Sequence, residues 1–165
     1  MIFRTTIDSQ ARYVQAPGGC APAAVEMACR DYGHPPGAID KHLRERLETE
    51  RHGGAYFHLV AAELRQIGIR AEHGSGPLDA ALALRDQGRL VIGVRPSVMY
   101  TGAGQNAKHA VYVASNTQPA DNMSVAFIPA IEIIDPEALA PERSTWTYEL
   151  LSMAYAGEWI LIRHP

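Results

Sequence analysis

The chain divides into a helical half and a strand-rich half when its apolar positions are followed by spacing. From about Cys20 to Tyr32, residues Ala24, Val25, Ala28, Cys29 and Tyr32 recur at three- and four-residue steps, which predicts a helix with one buried face. Pro22 falls in the first turn, where a missing N–H costs little, and Gly33 with Pro35-Pro36 ends the run. A second helix is expected over 38–50, with Ile39, Leu43 and Leu47 at four-residue spacing and Gly53-Gly54 as its stop. A third covers about 56–67 on Leu59, Val60, Leu64 and Ile67. A short strand over 69–72 and a helix over 77–87 close this half.

Beyond Gly88 the period changes. Leu90 to Val94 is a continuous apolar run of strand length, and 109–114 and 123–134 are rich in Val and Ile between turn residues. A helix over 146–154 and a strand over 158–163 follow. Helices first and strands afterwards argue for an α+β fold with an antiparallel sheet. No repeat, low-complexity tract or linker interrupts the pattern, so the expectation is one domain over 1–165.

Composition narrows the function classes. Hydrophobic residues make up 47% and charged residues 20%, which suits a globular core. A net charge of −3 and the lack of a basic run or basic-aromatic stripe speak against nucleic acid or an anionic membrane as partner. The first eight residues lack a signal-peptide apolar core, and no stretch reaches the ~18 apolar residues of a membrane span. The expected location is cytoplasmic, or outside the cell by a signal-peptide-independent machine. The two cysteines, Cys20 and Cys29, would lie about 13 Å apart on one helix. That excludes a bridge between them and fits a reducing compartment. His52, His58 and Cys29 lack paired zinc-ligand spacing, Gly102-Ala-Gly104 lacks a dinucleotide context, and no P-loop occurs, so no metal or cofactor is expected.

Candidate chemistry begins at Cys20, which follows Gly18-Gly19 at a helix start. Free N–H groups and partial positive charge at a helix N-terminus favour the thiolate. A small buried thiol is the alternative for a cysteine taken alone. A thiolate nucleophile needs a base, and His109 opens a strand after the glycine-containing loop 101–108. The other six histidines stand in polar or helical settings; a surface histidine at a strand start is the competing reading. Asp135, before Pro136, ends the longest strand and is placed either to orient an imidazole or merely to turn the chain. Gln15, five residues before Cys20, carries an amide suited to an oxyanion, together with the Cys20 backbone N–H.

The segment Gln15-Ala-Pro-Gly-Gly-Cys20 through Tyr32-Gly33 resembles the catalytic helix of the C39-like peptidases, papain-fold cysteine proteases that include the leader-cutting domains of bacteriocin exporters. The strand Leu90 to Val94, the His109 strand and Asp135-Pro136 follow in that family's order. The resemblance implies a papain-like α+β fold, N-terminal helices packed on a C-terminal antiparallel sheet. It also implies a Cys20 nucleophile, a His109 base and acid, an Asp135 orienter and a Gln15 oxyanion donor. Departures are Gly19 and Ala21 beside the cysteine, a Gln15-to-Cys20 interval one residue shorter than usual, and a long His109-to-Asp135 interval with an extended hairpin around 118–123.

The expected activity is cleavage of a peptide or isopeptide bond in a peptide or protein substrate. A papain-like glutamine deamidase or transglutaminase-type toxin or effector, with an immunity or inhibitor protein as partner, is the second reading. A non-catalytic binding module of the same fold is the third.

Overall fold

A computed structural model describes residues 11–99, 108–117 and 130–165. Helix α1 spans Cys20–Ala28 and is buried from Ala21 to Ala28. Its small residues (Ala21, Ala23, Ala24, Ala28) let it approach its neighbours closely on every side, so it is a central helix rather than one with a single buried face. A 3₁₀ turn, Arg30–Tyr32, completes the segment predicted as one helix, and Gly33 ends it in the left-handed conformation. The expected 38–50 helix is two, α2 (Ala38–Leu47) and α3 (Thr49–His52). The break falls at Glu48, whose φ of 48° is not helical. Then come α4 (Phe57–Gln66), β1 (Ala71–Ser75) and α5 (Leu78–Ala83), the last ending in a 3₁₀ turn, Leu84–Asp86.

The remaining elements are β2 (Gly88–Val94), α6 (Pro96–Met99), β3 (His109–Thr117), β4 (Ala130–Ile134), β5 (Arg143–Thr147), α7 (Tyr148–Ala154) and β6 (Tyr155–Arg163). Among the described residues, six strands form one antiparallel sheet in the order β1-β6-β2-β3-β4-β5. The α+β arrangement of helices on an antiparallel sheet is therefore as expected. Two strands differ from expectation: Arg143–Thr147 pairs with β4 where a helix was predicted from 146, and β4 is described only from Ala130. The expected hairpin around 118–123, and the start of its strand at 123, lie outside the described residues.

Side-chain alternation gives the sheet two apolar faces. Val91, Ala110, Tyr112, Ala114, Ile134 and Ile160 meet α1, α2 and α4 on one face. Leu90, Ile92, Val94, Val111, Val113 and Ile133 meet Leu78, Leu82 and Leu151 from α5 and α7 on the other. The second layer explains the continuous Leu90–Val94 run, since a strand covered on both faces has no polar side to present. Truncating a fully buried residue of the first layer, such as Met27→Ala, costs about 2–5 kcal/mol.

Candidate active site

Two elements carry the site. Helix α1 packs on β3, and the register of β3 against β2 sets His109 opposite Val94 at the strand's first residue. Cys20 is the first residue of α1, so its backbone N–H belongs to the first turn, where amides have no intrahelical partner. The loop before it is tightly held. Gly18 has φ of 70°, and a Cβ there would lie 2.5 Å from the Thr49 carbonyl oxygen, so only glycine fits. On the helical side, Asp40 is buried and accepts from the Tyr13 hydroxyl at 3.1 Å and the Arg44 Nε at 2.8 Å. The Asp40 backbone N–H in turn donates to Glu26 on α1 at 3.2 Å. This charged cluster ties residue 13, α1 and α2 together behind the glycine loop.

The structure brings Cys20, His109 and Asp135 into one row. The His109 Nε2 lies 2.7 Å from the Asp135 Oδ1. The imidazole also hydrogen-bonds the Cys20 thiol, and because Nε2 is taken by the carboxylate, Nδ1 is the nitrogen that serves the sulfur. Asp135 is fully buried and His109 only 11% exposed, which keeps the ion pair out of water. The buried carboxylate is compensated by the imidazole and by the Glu137 backbone N–H, which donates to the same Oδ1 at 2.8 Å.

This arrangement moves both titrations. Burial, the largest influence on Cys20, raises its pKa; the hydrogen bond and charge of His109, with backbone hydrogen bonds from Ala110 and Ala21, outweigh it and bring the thiol below its ordinary value. For His109, burial again acts first and lowers the pKa, while Asp135 and Cys20 together push it up to about 10. Both shifts favour the state with the proton on the imidazole and the negative charge on sulfur. Cys29, one residue beyond the other end of α1, has no such partner in its environment: burial, then the Glu26 charge, push its thiol well up. Both cysteines are free thiols, as the spacing requires.

Gln15 lies beside the row, and its side chain is engaged. Its backbone N–H donates to the Pro136 carbonyl at 2.8 Å, and its Nε2 donates to the Glu137 Oε2 at 3.0 Å. One amide hydrogen remains, and the buried Oε1 has no partner among the described residues. Glu137 and Arg12 are the residues the sequence reading missed. Arg12 donates from Nη1 to the carbonyls of Glu137 and Ala140 at 3.2 and 2.9 Å, clamping the loop after Asp135. The only sequence signal for Glu137 is an acid two residues past the aspartate.

A cavity of about 490 Å³ adjoins the glycine loop, lined by residues such as Ala16, Pro17, Arg44, Thr49 and Arg51, but no residue of the Cys20 row lines it. Among the described residues there is no group of three or more side chains able to hold a metal ion, and no helix is long and apolar enough to cross a membrane.

No family model and no curated protein matches the sequence. Solved structures do. A double-glycine-motif protease from an AMS/PCAT transporter, in complex with its leader peptide, superposes with a TM-score of 0.64 at 13% identity, over 99% of this chain and 100% of that one. The peptidase domain of Streptococcus ComA, a bi-functional ABC transporter of a quorum-sensing pathway, gives 0.63 at 16% identity, over 94% of this chain and 100% of that one. The chain has the C39-like peptidase fold. A complex of the Streptococcus mutans ComA peptidase domain with a small-molecule inhibitor also matches, at a TM-score of 0.58 and 12% identity, over 94% and 99% of the two chains.

Proposed function

We propose that this C39-like chain is a cysteine peptidase acting through Cys20, His109 and Asp135. The observation that carries the reading is the single imidazole that hydrogen-bonds the Cys20 thiol and lies 2.7 Å from the buried Asp135 carboxylate. Such an imidazole stores the proton that a leaving amine needs, and leaves the sulfur as a thiolate.

In the proposed mechanism the Cys20 thiolate attacks the carbonyl carbon of a peptide or isopeptide bond. The developing oxyanion takes hydrogen bonds from the Cys20 backbone N–H and from the remaining Gln15 amide hydrogen. His109 passes its Nδ1 proton to the leaving nitrogen, and a thioester to Cys20 remains. Neutral His109 then takes a proton from water, hydroxide adds to the thioester carbonyl, and the acid product leaves as the thiolate–imidazolium pair is restored. Asp135 keeps the ring in the tautomer and orientation that present Nδ1 to sulfur. The fold's likeness to a protease held with its leader peptide supports a peptide as the substrate.

The test is mass spectrometry of peptides ending a leader in a double glycine, and of isopeptide-linked conjugates, incubated with wild type and Cys20→Ala. Cleavage that requires Cys20 is the expected result. A +1 Da change in glutamine-containing peptides without cleavage would replace the peptidase by a deamidase using the same thiolate. No Cys20-dependent product of either kind would leave a binding module of this fold.

A further inference from the structure

The Gln15 carboxamide is held in an unusual way. Its nitrogen is tied to a carboxylate, while its oxygen is buried without any hydrogen-bond partner among the described residues. An amide turned by 180° exchanges a donor for an acceptor, so whatever fixes its sense decides whether a neighbouring oxyanion meets an N–H or a C=O. Glu137 is the group that fixes it here. A carboxylate only accepts, and turning the amide would set the Gln15 oxygen against the Glu137 Oε2 in place of a 3.0 Å hydrogen bond. Glu137 is itself constrained. Its Oε1 accepts from the Leu139 N–H at 3.3 Å, its N–H donates to the Asp135 Oδ1 at 2.8 Å, and its carbonyl accepts from Arg12 at 3.2 Å. One residue thus touches both the carboxylate that orients His109 and the amide assigned to the oxyanion.

We infer that Glu137 is a positioning residue that selects the donor orientation of the Gln15 carboxamide, and so sets the strength of the oxyanion site. The inference rests on the proposed acyl transfer at Cys20. Its backbone arm to Asp135 survives any side-chain substitution, so apart from the Oε1 contact with the Leu139 N–H the side chain acts through Gln15.

Two reagents separate this role from a general structural one. Acylation of Cys20 by p-nitrophenyl acetate passes through a tetrahedral oxyanion; alkylation by iodoacetamide does not. Glu137→Ala is expected to slow acylation about tenfold, less than the 10²–10³ of losing a donor outright. Alkylation is expected to stay within about twofold, because the Cys20–His109 pair is untouched. Glu137→Gln, which keeps an acceptor oxygen, restores acylation to within about threefold of wild type. In the Gln15→Ala background, Glu137→Ala has no further effect, since the two act through one hydrogen bond. Glu137→Met, close in length and without an acceptor, repeats the loss if the alanine variant does not fold.

Acylation of wild type and Glu137→Ala at equal rates overturns the inference, as does an equal fall in alkylation or an additive double variant. Failure of the underlying reading looks different. If p-nitrophenyl acetate acylates Cys20→Ala as fast as wild type, the assignment of Cys20 falls, and that of Glu137 with it.

Discussion

Helix α1 has a cysteine at each end, and the two thiols are driven in opposite directions. Cys20 opens the helix and Cys29 caps it; both are largely enclosed by the same helices and sheet. Burial alone would raise both pKa values. At Cys20 the raise is overcome by an imidazole anchored on a buried carboxylate, and by backbone N–H groups near the helix start. At Cys29 the Glu26 charge adds to burial, and the opposing charge of Arg89 is too weak to offset the two. The direction of each thiol's pKa shift therefore depends on what surrounds it, at Cys20 on what β3 and the turn after β4 bring, and not on the thiol or its depth.

The largest break in that comparison comes from exchanging the thiols' roles. Cys20→Ala is expected to lower peptide cleavage by on the order of 10⁴-fold or more, measured as turnover of the cleaved peptide. Cys29→Ala should leave turnover within about twofold and cost about 1 kcal/mol in thermal unfolding. Next in size is Asp135→Asn, which keeps the side chain's shape and removes its charge. Turnover is expected to fall about 10³-fold, because the ring is no longer held with Nδ1 toward sulfur.

A smaller effect tests the loop. Gly18→Ala places a methyl 2.5 Å from the Thr49 carbonyl oxygen at a left-handed φ, and should cost roughly 2 kcal/mol or more in denaturant unfolding. Turnover should fall with it, since the displaced loop carries Cys20. A loss of stability with unchanged kcat would separate the glycine's packing role from the site.

The smallest effect is in the pH dependence of stability. His109, with its pKa raised from 6.5 to about 10, contributes stability that is whole below 6.5 and lost as pH rises through about 10. Cys20, with its pKa lowered from 9.0, contributes stability present above 9.0 and lost as pH falls through its folded value. Above 6.5 and the folded pKa of Cys20, and below about 9, the folded ion pair and the unfolded neutral pair hold the same number of protons, so the two slopes cancel. Tm should be flat across that window and fall above about pH 9, where His109 and the raised Cys29 thiol both lose stability, and Cys29→Ala should make that fall shallower.

Much of this was legible in the chain before its structure. Cys20 at a helix start, His109 at a strand start and Asp135 before a proline each stand at an element boundary, where spacing and turn residues leave a visible mark. What escaped depends on long-range contact. Arg143–Thr147 has no apolar alternation and becomes a strand only by pairing with β4. The α2–α3 break at Glu48 rests on a backbone angle that no glycine announces. The tie from Gln15 to Glu137 spans 122 residues and leaves no pattern in either segment.

The central claim is that His109 makes Cys20, and not Cys29, a thiolate near neutral pH. Site-resolved iodoacetamide labelling, followed by peptide mapping from pH 5 to 10, tests it directly. The account predicts that Cys20 in the native wild type reaches its labelling plateau below the ordinary thiol range, that Cys29 stays unlabelled, and that His109→Ala slows Cys20 about tenfold or more at pH 7. Equal labelling of Cys20 in wild type and His109→Ala, with a midpoint near 9, would contradict it.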